Sequence, residues 1–353
     1  MKPIMIAGRE ISDQQPPYII AELSANHNGD IDRALKTIDA AQQAGVSAIK
    51  IQSYTPDTMT LNSDKPDFII HDGLWAGRSL YDLYGEAYTP FEWHQKLFDY
   101  ARQRGITLFS SPFDETAVEL LASLDAPAYK VASFELTDLP LIRCIAEQDK
   151  PMIMSTGMAT LEEVGDALET AKKFGSGDVI LLHCISSYPA PLSQANLRRI
   201  TRLQQEFNVH VGLSDHTLGN TASILATALG ASVIEKHFTL DRSDGGVDST
   251  FSLEPSEMSD LVAATSTAHG AMGDQSFDRS ACEQQNTIFR RSLYFVQDLA
   301  AGEIIQSHHI RRIRPGFGLA PKYLDQIIGQ RLLHSVERGD RVEWQCVRSD
   351  DNA

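Results

Sequence analysis

Eight times between residues 18 and 272 a short apolar run gives way to a helical stretch, and nothing else in the chain limits its fold as tightly. The runs are residues 18–23, 47–52, 106–110, 128–131, 151–154, 179–184, 209–213 and 232–234. The stretches after them are residues 31–44, 90–104, 115–124, 139–147, 161–174, 194–207, 221–229 and 255–272. Asp30 stands where an N-cap belongs, and Gly45, Gly105 and Gly230 follow last helical turns. Strands alternating with helices imply a parallel sheet, and eight units of this length suit a (β/α)8 TIM barrel. An open doubly wound sheet is the alternative.

Two segments break the rhythm. Residues 53–89 form a long excursion containing Trp75, Tyr81, Tyr84 and Tyr88, suited to a lid, a binding loop or an oligomer interface. Beyond Gln284 come short β-like runs at 293–296, 310–313 and 341–344, punctuated by Gly302, Gly316, Gly318 and Gly339. The expected division is a barrel over residues 1–273, a polar linker over 274–289 and a small mostly-β domain over 290–353, with a frayed tail from 349.

In such a barrel the active site lies at the carboxyl ends of the strands. Those ends read Glu22; Lys50 and Gln52; Ser110 and Ser111; Lys130 and Ser133; Ser155 and Gly157; Ser186 and Tyr188; Ser214 and His216; Glu235 and His237. His216 and His237 follow neighbouring strands. Two imidazoles at one rim can hold a divalent metal with positions open to water and substrate, or can simply hydrogen-bond loop backbone. The net charge of −16 argues against nucleic acid or an anionic membrane as partner, so a phosphate would need a locally basic pocket. Lys50 and Lys130 with the rim hydroxyls would make one, unless they snorkel to solvent. Glu22 and Glu235 could act as acid or base, or could pair with a lysine or orient a histidine. Glu235 and His237 share a strand face, which sends Lys236 towards the helices. The loop 245–255, with Asp248, could close over a polyhydroxylated substrate or be an ordinary connection. Cys144, Cys184, Cys282 and Cys346 lack metal-ligand spacing and suit a reducing compartment. With no signal pattern and no membrane-length apolar run, a cytoplasmic protein is expected.

The motifs Ile20-Ala21-Glu22, Asn26-His27-Asn28-Gly29, Ile49-Lys50-Ile51-Gln52, Tyr129-Lys130-Val131-Ala132-Ser133, Ser155-Thr156-Gly157-Met158, Tyr188-Pro189, Gly212-Leu213-Ser214-Asp215-His216-Thr217 and Glu235-Lys236-His237-Phe238-Thr239 resemble the sialic acid synthase family along nearly the whole chain. The C-terminal part, with Arg314-Pro315-Gly316, looks like that family's antifreeze-like (SAF) domain. Residues 80–90 and 245–255 resemble its pseudaminic acid synthase branch. One departure is Ile185, where that branch usually has Thr, leaving Ser186 or Ser187 to meet a phosphate.

The resemblance implies condensation of phosphoenolpyruvate with an N-acetylated amino sugar, 2,4-diacetamido-2,4,6-trideoxy-L-altrose, giving pseudaminic acid and phosphate by C–O cleavage. It implies Mn or Mg on His216 and His237, which with Glu22 are the catalytic set. It implies that Lys50, Lys130, Ser133, Ser155, Ser186 and Ser214 hold the carboxylate and phosphate, supported by Gln52, Ser111, Gly157 and Glu235. Tyr188 and Asp248 would meet the sugar, as would Arg314 from the small domain of a partner in a domain-swapped homodimer. Rival readings are an N-acetylneuraminic or legionaminic acid synthase, a Schiff-base aldolase using Lys50 or Lys130, and a non-catalytic carbohydrate-binding scaffold.

Overall fold

The computed structural model describes residues 1–274 and 276–347; the tail from 349, expected to fray, lies outside them. The chain divides into two compact units at Gly273 and Asp274. The first begins with an antiparallel hairpin, β1 (Ile4–Ile6) and β2 (Arg9–Ile11). Eight parallel strands then close into a barrel: β3 (Tyr18–Glu22), β4 (Ala48–Ser53), β5 (Thr107–Pro112), β6 (Tyr129–Val131), β7 (Met152–Ser155), β8 (Val179–Cys184), β9 (His210–Asp215) and β10 (Val233–His237), with β10 paired to β3. That closure excludes the open sheet.

Alternation along each strand sorts the side chains into two cores. One parity (Ile19, Ala21, Ile49, Ile51, Tyr129, Val131, Met152, Met154, Val211, Leu213, Ile234) packs outward against the helices. The other (Tyr18, Ile20, Ala48, Phe109, Ala128, Ile153, Ile180, Leu182, Val233) fills the barrel floor together with Ile4, Ile6 and Ile11 of the hairpin. The inward parity therefore begins apolar at the floor and continues upward as Glu22, Lys50, Gln52, Ser111, Lys130, Ser155, Cys184, Ser214, Glu235 and His237. Gly212 also lies on it, because a Cβ there would come 2.2 Å from Val233 O and 2.7 Å from Leu182 Cδ2.

The helix expected over 194–207 is shorter, Arg199–Phe207 after a 3-10 turn at Leu192–Gln194. Asn196 between them takes φ 48°, left-handed backbone through which a right-handed helix does not run. The excursion 53–89 carries short helices at Pro56–Met59 and Leu80–Ala87 and a 3-10 turn at Pro66–Phe68, joined by irregular chain.

The second unit carries β11 (Ser292–Phe295) paired antiparallel with β12 (Ile310–Ile313). The third run expected there does not form a strand. Arg341 makes one isolated bridge to Tyr294, and Trp344–Cys346 is a 3-10 turn. No helix among the described residues is long and apolar enough to cross a membrane, and the four cysteines are free.

Candidate active site

The inward parity brings the two lysines to one place. Lys50 and Lys130 are 4 % and 1 % exposed, so neither snorkels to solvent. Lys50 Nζ lies 3.0 Å from Glu22 Oε2, 3.4 Å from Glu235 Oε1 and 3.3 Å from Ser111 Oγ. Lys130 Nζ is 4.0 Å from the same Glu235 oxygen and donates one hydrogen bond, 3.0 Å, to Val131 O. An ammonium carries three donors, so Lys130 is poorly satisfied. Burial depresses its pKa to about 8 against the pull of Glu235. Glu235 also accepts from Ser214 at 3.2 Å; burial pushes its carboxyl up, but Lys130 and Lys50 outweigh burial and hold it below the usual range. Glu22 goes the other way. Burial raises it to about 7 despite Lys50, and Gln52 Nε2 donates to its Oε1 at 3.2 Å.

Beside the lysines lies a ring of hydroxyls around bare backbone. Ser155 Oγ is buried with no hydrogen-bond partner. Ser133 Oγ accepts from Gly157 N at 3.1 Å. A Cβ on Gly157 would stand 2.2 Å from Ser186 Oγ and 2.7 Å from Ser133 Oγ, so only glycine leaves those hydroxyls in place. Ser110, read from the sequence as a rim residue, lies on the outward parity. It bonds Ser53 Oγ at 2.6 Å and Ile51 O at 3.0 Å instead.

His216 and His237 have ring centroids 5.4 Å apart. His216 Nδ1 is taken by Ile185 O at 3.1 Å, leaving its Nε2 to the interior. His237 Nδ1 is buried with no hydrogen-bond partner, and burial with the neighbouring cations lowers its pKa well below the ordinary range. Two such imidazole nitrogens fit a metal bound by two side chains, with further positions supplied by solvent and substrate. Among the described residues no set of three His, Cys, Asp or Glu comes together to enclose an ion. Lys236 points outward and pairs with Asp215 at 2.9 Å.

Tyr188 tilts over His216, centroids 4.4 Å apart, and stands 5.4 Å from Phe251, which lies 4.9 Å from His237. Trp75 of the excursion stands 5.9 Å from Tyr188 and donates to Val247 O at 3.3 Å. Asp248 Oδ2 is 3.8 Å from His237 Nδ1 and accepts from Ser24 Oγ at 2.5 Å. The Asn26-His27-Asn28-Gly29 motif ties two loops together. Asn26 Nδ2 donates to Phe238 O and Ser252 Oγ, both at 2.9 Å, and Asn28 Nδ2 donates to Gly245 O at 3.1 Å. His27 is buried with its pKa lowered to about 4, so it stays neutral and accepts from Gly29 N. Arg314 lies in the second unit, one residue after β12.

The sequence reading gave no site role to Cys184 or Glu135, and it placed Trp75 and Phe251 only within segments suited to close over a ligand. Cys184 Sγ, 3.8 Å from His216 Nδ1, lies on the inward parity and was findable from it. Glu135 follows β6 with Oε2 unpartnered, and burial raises its carboxyl to about 7 although Lys130 lowers it. Nothing in the local pattern marked Glu135, and nothing marked Trp75 or Phe251 as neighbours of Tyr188.

Residues 37–277 match the model of the NeuB family, and residues 290–348 match that of the SAF domain. The chain is 48 % identical over 331 residues to a pseudaminic acid synthase of Campylobacter jejuni subsp. jejuni serotype O:23/36 (strain 81-176), covering 94 % of this chain and 96 % of that one. It is 34 % identical to an N,N'-diacetyllegionaminic acid synthase of Legionella pneumophila subsp. pneumophila, covering 94 % and 95 %. Among solved structures it resembles the N-acetylneuraminic acid (sialic acid) synthetase of Leptospira borgpetersenii serovar Hardjo-bovis in complex with citrate, with TM-score 0.73, 31 % identity and coverage of 81 % and 95 %.

Proposed function

The chain belongs to the NeuB family, and from that premise we propose that it is a pseudaminic acid synthase, condensing phosphoenolpyruvate with the open-chain aldehyde of 2,4-diacetamido-2,4,6-trideoxy-L-altrose. The observation that supports this best is the convergence, on one face of one barrel, of two buried ammonium groups with two buried imidazoles.

The lysines and the serine ring receive the anion. Its phosphate and carboxylate take the free donors of Lys130 and the unpartnered Ser155 hydroxyl, with Ser133 and Ser186 held open by Gly157. Ser186 fills the place left apolar by Ile185, whose backbone oxygen instead fixes the His216 ring. Ser111, Ser214 and Glu235 hold the two ammonium groups in position. A divalent cation, Mn or Mg, held by His216 and His237 would polarise the aldehyde oxygen.

The enol carbon then attacks the aldehyde carbon, water adds to the resulting cation, and phosphate leaves with its bridging oxygen. Glu22, with its proton affinity near neutrality and Gln52 fixing its orientation, is placed to take or return a proton. Asp248 and Tyr188 meet the sugar, and Arg314 of the partner subunit completes the sugar contacts in a domain-swapped homodimer. The aromatic wall of Trp75, Tyr188 and Phe251 favours a sugar with a methyl at C6 over one with a hydroxymethyl.

Phosphate release measured in parallel with the diacetamido-altrose, the legionaminic precursor and N-acetylmannosamine tests the reading. Release with the first sugar alone is expected; release only with another would reassign the substrate. Borohydride trapping should give no covalent adduct, whereas an adduct on Lys50 or Lys130 would indicate a Schiff-base aldolase.

A further inference from the structure

We propose that Ser24 is a positioning residue for sugar recognition: its hydroxyl fixes the Asp248 carboxylate at the mouth of the barrel. The inference rests on the sugar-binding role given to Asp248 above and extends it to a side chain that has no other assignment. Ser24 is buried, directly after β3 and Leu23, at φ 47°. That is left-handed backbone, where a residue with a Cβ is strained and glycine is not. Glycine would meet the needs of the turn at less cost, and what the serine adds there is its hydroxyl.

That hydroxyl is fully engaged. Gln52 Nε2 donates to Ser24 Oγ at 2.9 Å, and Ser24 Oγ donates to Asp248 Oδ2 at 2.5 Å. Because Gln52 fills the acceptor side, the Ser24 proton is directed at Asp248. The left-handed turn at Ser24 also presents the next backbone N–H, that of Ala25, to the same carboxylate. Gln52 bonds Glu22 as well, so one amide joins the proton-handling carboxylate to the sugar-binding one through Ser24. Asp248 is buried and sits on a loop following the last barrel strand. Without the Ser24 bond its carboxylate would be held by the Ala25 N–H alone and could turn towards His237, 3.8 Å from Oδ2.

Ser24→Gly separates positioning from mere support, because it removes the hydroxyl while relieving the backbone. With Mn present, KM for the sugar should rise roughly 10- to 100-fold, the loss of one hydrogen bond to a buried charged group, while KM for phosphoenolpyruvate stays within about twofold. Ser24→Ala, which keeps the strain, should show the same KM split. In an Asp248→Asn background Ser24→Gly should add less than about threefold, since its effect runs through that carboxylate. An unchanged sugar KM in Ser24→Gly would overturn the proposal. So would an equal rise for both substrates, or a full additional loss on top of Asp248→Asn. Wild-type turnover of the sugar is the control: its absence would remove the synthase reading itself, whereas turnover with an insensitive Ser24→Gly would remove only this inference.

Discussion

Lys236 closes a 2.9 Å ion pair with Asp215 on the helix side of the barrel, and each partner is one residue away from an imidazole that faces the interior. Asp215 Oδ1 also accepts from the backbone and hydroxyl of Thr217, at 2.8 and 2.7 Å, and Oδ2 accepts from Ser223 at 2.7 Å. Lys236 donates in addition to Thr217 O at 2.6 Å. The pair thus clamps the turn that carries His216. Removing one partner leaves the other charge buried and uncompensated, which costs about 3–5 kcal/mol. Lys236→Met should lower the urea midpoint accordingly, and adding Asp215→Asn should recover part of the loss. Equal midpoints for wild type and Lys236→Met would show that the clamp does not hold the fold.

His237→Ala should abolish metal-dependent phosphate release and also the rise in Tm that Mn gives the wild-type protein. The second readout does not depend on turnover. His237 is the last residue of β10, and the outward parity of that strand is untouched by the change, so the circular-dichroism spectrum should stay barrel-like. Chelation should silence the wild type and added Mn should restore it. A variant that keeps both activity and the Mn-induced Tm shift would take the metal away from this pair.

The pH dependence of anion binding follows from Lys130. Its pKa is about 8 in the folded protein, where burial lowers it, against about 10.4 for an ordinary lysine. Between those values the unfolded chain binds the extra proton, so the cost of burying the ammonium is full below pH 8 and is relieved as pH rises towards 10. A bound anion favours the charged form. Affinity for phosphoenolpyruvate should therefore fall by up to roughly tenfold per pH unit above pH 8. Titrations between pH 7 and 9.5 would show this, and Lys130→Met should bind weakly with no such bend. A wild-type affinity that climbs above pH 8 would contradict it.

The barrel was legible because its eight repeats are local: each strand and helix announces itself within a dozen residues, and boundaries such as residues 161–174 and 255–272 coincide with the folded elements. The strand-end residues of the candidate site were legible for the same reason. Glu22, Lys50, Lys130, Ser155 and His237 sit on the inward parity of their strands. What the sequence did not reveal depends on contacts distant along the chain. Phe251 and Trp75 reach Tyr188 from separate loops. Ser24 matters because of a partner 224 positions away. Ser110 was assigned to the rim because a strand end was read without its parity; its hydroxyl bonds on the helix side.

The hairpin at the N-terminus makes a contrast with the rim. Ile4, Ile6 and Ile11 are buried in the barrel floor, among Phe109, Ile153 and Leu182. Ile6 is fully enclosed, so Ile6→Ala should cost about 2–5 kcal/mol through lost transfer energy and the cavity left behind. None of these three side chains belongs to the polar upper layers, so KM for both substrates should stay at the wild-type value while the urea midpoint falls. Gly157→Ala should do the reverse: its Cβ displaces Ser186 and Ser133 at the anion pocket, raising KM for phosphoenolpyruvate at least tenfold with little change in midpoint. If Ile6→Ala weakened substrate binding as strongly as it weakened the fold, floor and rim would be coupled, and the division of the barrel into an apolar base and a polar mouth would not describe how it works.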